Sequence, residues 1–165
     1  METGPSRQNR IPATIIVQAW LLAGTLDILA AFIDYWLASG KGPQGVLLYV
    51  ASGFFGPAAF GGGAGMAACG LLFHYLIAFC WTLFFFWIYT KIPCLPRYPL
   101  LTGLGFGLLI WMVMNLLVLP LSRIQQVPLS AVKPLKMGKS FLILACMIGL
   151  PLSFIAGSTA GTAKK

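Results

Sequence analysis

Residues 12–39 read PATIIVQAWLLAGTLDILAAFIDYWLAS, and the sparse charge in this stretch decides the class of fold. It is long and apolar, and its only charged residues are Asp27 and Asp34. The whole chain has three acidic residues, and the third, Glu2, lies near the amino terminus. Every carboxylate side chain beyond that tail therefore sits in a segment suited to lipid. A charge near the bilayer centre costs at least ~2.5 kcal/mol, which makes such a residue a functional candidate by default.

Working outward, composition supports the same class. The chain has 165 residues, enough for one domain, and is 59% hydrophobic and only 8% charged. Soluble domains carry roughly 25% charge, so a water-soluble surface cannot be built from this sequence. Four uninterrupted apolar runs instead predict an all-α, polytopic membrane protein. The net charge of +8 does not indicate nucleic acid, because the cations lie in loops and tails between apolar runs. There they anchor to lipid headgroups and set orientation. Arg7 and Arg10 precede a run longer than the 7–15 residues of a signal core, so the first span reads as a retained helix.

In chain order, residues 1–11 form a polar tail, and Pro12 suits the first turn of a helix ending at Ser39. Residues 44–56, QGVLLYVASGFFG, are apolar but too short to span at ~1.5 Å per residue, which predicts an interfacial or re-entrant helix. The glycine-rich residues 56–65 read as a flexible hinge. Further spans are predicted over 66–89, 99–119 and 140–158, followed by a basic tail, 159–165. With the amino terminus inside, the inner face carries Arg7, Arg10, Lys91, Arg97, Lys164 and Lys165. The outer face then carries Lys41, Arg123, Lys133, Lys136 and Lys139. That near-balance leaves the flanks of the first helix to favour cytoplasmic termini.

Small residues mark where helices touch. Gly103 and Gly107, and separately Ala145, Gly149, Ser153 and Gly157, recur at four-residue intervals. This spacing lets helix backbones approach closely in lipid, and Pro151 is expected to kink the last helix beside that seam. Cys69, Cys80 and Cys146 fall within spans and read as small packing residues, whereas Cys94 lies in a loop. No CxxC pair is present.

The intramembrane polar residues carry the functional reading. Asp27 and Asp34 are seven residues apart and so share a helix face with Trp20, Ala23, Gly24, Ala30 and Ala31. Counting rise from each span's midpoint puts Asp27 roughly 2 Å and Asp34 roughly 13 Å toward the side where the first helix exits. The same count puts His74 at roughly 6 Å and Asn115 at roughly 8 Å in that half of the membrane. In one reading these four residues line a polar half-cavity that carries a proton, an ion or a small solute, with histidine able to change charge near neutral pH. In the other, Asp27 and His74 are interhelical glue, while Asp34 reaches water or Arg123.

The glycine run 61–63 lacks the Lys-Ser/Thr of a phosphate loop, and Met66 stands where a dinucleotide fingerprint needs glycine. With one histidine per chain, a bis-histidine haem would require a dimer. No cofactor, resident metal or nucleic acid is therefore expected. The expected partners are the lipid bilayer and either a second copy or another membrane subunit.

Three stretches, LLAGTLDILAAFIDYW, GLLFHYLIAFCWTLFFFWIY and LTGLGFGLLIWMVMNLLVLPLS, resemble a group of small uncharacterised bacterial inner-membrane proteins and, more distantly, the YagU-like inner-membrane family. The resemblance covers about Leu21 to Ser122 and is clearest at FHYLIAF and NLLVLPLS. It implies a multi-pass protein of the bacterial cytoplasmic membrane and brings no catalytic residues with it.

Overall fold

The computed structural model describes residues 11–124 and 134–162. Outside the described residues lie most of the polar tail with Arg7 and Arg10, the loop around Lys133, and the terminal Lys164 and Lys165. Five helices follow in order: α1 (Ala13–Ser39), α2 (Gln44–Phe55), α3 (Gly63–Lys91), α4 (Pro99–Leu121) and α5, which starts at Pro134 and ends at Thr162. Among the described residues there is no strand, and the fold is all-α.

Helices α1, α3, α4 and α5 each contain a window long and apolar enough to cross a membrane, with mean hydropathy between 1.9 and 2.2. They are apolar around their whole circumference, and much of that surface faces outward: Leu72 is 67% exposed, Leu101 67% and Phe154 54%. Helices hydrophobic on every side need an apolar environment on every side, and here the outer one is lipid. The protein is a multi-pass membrane protein. Its interior is a narrow core in which Ala19 and Ala23 of α1 meet Phe85, Phe86 and Tyr89 of α3, Phe106 and Ile110 of α4, and Ile148, Leu152 and Ala156 of α5.

The two stripes of small residues face one another. Gly107 lies against Ala145, and Gly103 against Gly149 and Leu150, so that α4 and α5 meet almost backbone to backbone. Ser153 completes the seam by donating its hydroxyl hydrogen to the Pro99 carbonyl at 2.6 Å. A second close approach lies between α3 and α2, where Gly70 abuts the Leu47 carbonyl and the Ala51 amide. At its start, α2 passes Gly45 over the Tyr35 ring of α1, and with 12 residues this helix is not among those long enough to cross a membrane.

Both α4 and α5 contain one widened, π-helical turn, Met114–Val118 and Ala145–Gly149. Each turn ends two residues before a proline, Pro120 and Pro151. A helical proline removes one backbone donor and crowds the carbonyl four residues earlier. That carbonyl belongs to Leu116 in one helix and Met147 in the other, both inside the widened turn. The extra residue per turn relieves the crowding and keeps the helix continuous.

Several boundaries differ from the sequence expectation. The glycine-rich 56–65 stretch is largely helical: Gly56–Gly61 forms a 3-10 turn and α3 already begins at Gly63. Helix α5 starts at Pro134, six residues before the expected Ser140, because Pro134–Lys139 continues the helix beyond the apolar run. Cys80 and Cys146 are exposed on the outer surface, and Cys69 is half-buried.

Candidate functional site

The seam between α1 and α3 brings Asp27 and His74 together. Trp20, Gly24 and Asp27 lie along one face of α1 at the spacing of successive helical turns. The Trp20 indole donates to the Tyr75 carbonyl at 2.8 Å, and the Thr25 and Tyr75 hydroxyls share a hydrogen bond at 2.9 Å. Gly24 leaves room for the Tyr75 ring, which would lie 3.2 Å from any Cβ placed there.

His74 Nε2 is 2.8 Å from the Gly24 carbonyl. A carbonyl only accepts, so Nε2 carries a hydrogen, and Nδ1 is the ring nitrogen not engaged by that carbonyl. Asp27 lies one helical turn beyond Gly24 on α1, so its carboxyl belongs to the same part of the seam as this imidazole. Both residues are half-buried, and no hydrogen bond among the described residues fixes the Asp27 carboxyl.

The other two polar residues are placed differently. Asp34 forms an ion pair with Lys139 at the start of α5, tying α1 to α5 two turns from Asp27. The expected partner Arg123 is elsewhere, with its backbone amide on the Gly53 carbonyl. Both members of the ion pair are partly exposed, at 38% for Asp34 and 53% for Lys139, and such pairs contribute about 0–1 kcal/mol. Asn115 turns back on its own helix: its amide donates at 2.8 Å to the Trp111 carbonyl, which also accepts from the Met114 backbone N–H. The structure thus brings Asp27 near His74, pairs Asp34 with Lys139 two turns away, and uses Asn115 within α4.

Sequence reasoning missed Tyr75, Thr25 and Lys139. Tyr75 and Thr25 carried no signal beyond their type, since a hydroxyl on a span reads equally well as an interfacial belt residue. Beside the seam, Trp20, Leu21, Leu72, Tyr75, Leu76 and Phe79 line an apolar groove of about 460 Å³ that opens outward. Tyr75 stands between that groove and His74, against whose ring it packs edge-on at 5.4 Å.

At the other end of α3, the buried Tyr89 hydroxyl lacks a hydrogen-bond partner, and a Cβ on Gly157 of α5 would lie 3.8 Å from it. Gly157→Ser is expected to supply that partner and to raise the thermal midpoint in mild detergent. The gain should be about 1 kcal/mol beyond the smaller, propensity-driven gain of Gly157→Ala. Equal midpoints for the two variants would show that no bond forms.

No family model, curated protein or solved structure matches this chain.

Proposed function

We propose that the protein is a proton-linked carrier of a small solute or ion, with the coupling proton held by Asp27 and His74. The observation that carries this reading is their proximity. Asp27, the acid nearest the middle of a described span, lies one helical turn from the Gly24 carbonyl that binds His74 Nε2, and Nδ1 of His74 is uncommitted to that carbonyl. Holding two helices together does not require an acid, because interhelical polar bonds between neutral groups already contribute about 0.6 kcal/mol each. The Trp20–Tyr75 and Thr25–Tyr75 bonds are two such neutral contacts in the same seam. A bacterial cytoplasmic membrane with both termini on the inner side fits the flanking charges of α1 and the resemblance described above, and a homodimer is compatible with this reading.

The test uses vesicles loaded with a pH-sensitive dye, with a pH gradient imposed and sodium, potassium, chloride or ethylammonium added outside. The intact protein is expected to discharge the gradient faster than empty vesicles with at least one of these. Asp27→Asn is expected to return the rate to that of empty vesicles. Equal rates for Asp27→Asn and the unaltered chain would remove Asp27 from any coupling, and no discharge with any probe counts against transport.

A second reading has its own support. The dense set of bonds around Tyr75 and Gly24 also suits a non-catalytic subunit, in which α1 and α3 form a rigid pair that docks on another membrane protein. It predicts recovery of a partner in mild detergent and no ion-dependent discharge.

A further inference from the structure

We infer that the elbow between α2 and the 3-10 turn is a binding site for one acidic phospholipid, with its phosphate on Arg123 and an acyl chain over Phe54, Phe55 and Phe73. Arg123 is fixed at this elbow by its backbone. Its amide donates to the Gly53 carbonyl at 3.0 Å, and its Cβ would lie 3.7 Å from a Cβ placed on Gly56. Gly56 has φ +68, a left-handed conformation that glycine adopts without strain and that turns the chain sharply at this point.

Among the described residues no carboxylate pairs with Arg123. The carboxylates among the described residues are Asp27, near His74, and Asp34, paired with Lys139. Arg123 is exposed, as are Lys41 and Lys136 on the same side of the bundle. A guanidinium presents a planar fork that matches a phosphate, and clustered cations at a membrane surface favour acidic lipid.

The second half of the site is apolar. Phe54 and Phe55 pack edge-on with centroids 5.3 Å apart, and Phe73 of α3 lies 5.7 Å and 5.9 Å from them. Phe54 is 67% and Phe55 39% exposed among the described residues, and with the half-buried Phe73 they form an apolar patch running from the elbow onto a span. A cation at headgroup level continuous with rings below it fits a two-part ligand, an anionic head on an apolar tail. Inorganic phosphate would satisfy only the first part. This inference does not depend on proton coupling.

The full chain, purified in mild detergent, would be titrated with phosphatidylglycerol or phosphatidylcholine and bound lipid counted by native mass spectrometry. Phosphatidylglycerol is expected to be retained in preference to phosphatidylcholine. Arg123→Gln should lower its affinity about five- to tenfold, because the anchoring bond at this residue is made by the backbone and survives the change. Phe54→Ala should also weaken binding, while Lys91→Gln at the opposite end should leave it unchanged. Equal retention of the two lipids, unchanged affinity in Arg123→Gln, or full displacement of phosphatidylglycerol by millimolar inorganic phosphate would each overturn the assignment.

Discussion

Gly149→Val is expected to abolish folded, monodisperse protein in mild detergent, whereas Gly105→Val leaves it close to the unaltered chain. A Cβ at residue 149 would collide with the Gly103 carbonyl oxygen and crowd the Gly107 amide. Both obstacles are backbone, so no rotamer change can clear them, and α4 and α5 would have to separate. Separation exposes the packing of Phe106 and Ile110 against Ile148 and Leu152, and breaks the bond from Ser153 to Pro99. Overpacking a well-filled interior costs about 1–3 kcal/mol when side chains can adjust, and a backbone obstacle puts this case at or above the upper end. Gly105 lies on the same helix with nothing within 4 Å of its would-be Cβ, so it controls for valine in a helix without the collision. Size-exclusion profiles and thermal midpoints of the two variants decide the matter. Similar behaviour would mean that α4 and α5 are not packed backbone to backbone.

That seam was legible in the sequence because its signal is local: small residues every fourth position can serve only one face. The spans were legible for the same reason, since lipid imposes an apolar run wherever helices cross it. What escaped is set by neighbours. The start of α5 was hidden because Pro134–Lys139 is polar and exposed, and a helix leaving the bilayer no longer needs apolar residues. The earlier start brings Lys139 to Asp34 in place of Arg123. The widened turns were hidden although Pro120 and Pro151 were visible, because a proline can kink, end or widen a helix depending on the packing around it. For the site, counting rise along the spans gave depth and put His74 near Asp27. Depth does not give the direction in which a side chain points around its helix. Asn115 was counted to a similar depth, and its amide goes to Trp111 on its own helix. Tyr75 bridges to Thr25 from a position that its neighbours on α3 could not reveal.

His74→Gln is expected to preserve the fold and to return gradient discharge to the level of empty vesicles, while His74→Ala loses both discharge and stability. The difference rests on which ring nitrogen does what. Nε2 donates to the Gly24 carbonyl whether or not the ring is charged, and a glutamine amide can make the same donation from a similar place. The proton-coupling proposal assigns the proton to Nδ1, and glutamine has no base at that place. Alanine removes both functions and leaves a gap beside Tyr75, whose ring packs on the imidazole. Its stability loss should therefore exceed the ~0.6 kcal/mol of an average interhelical polar bond. If the pair were only glue between α1 and α3, His74→Gln would match the unaltered chain in both midpoint and discharge, with His74→Ala alone impaired. Full gradient discharge by His74→Gln would end the proton-coupling proposal, because the helices would then need only a donor at this position and not a base.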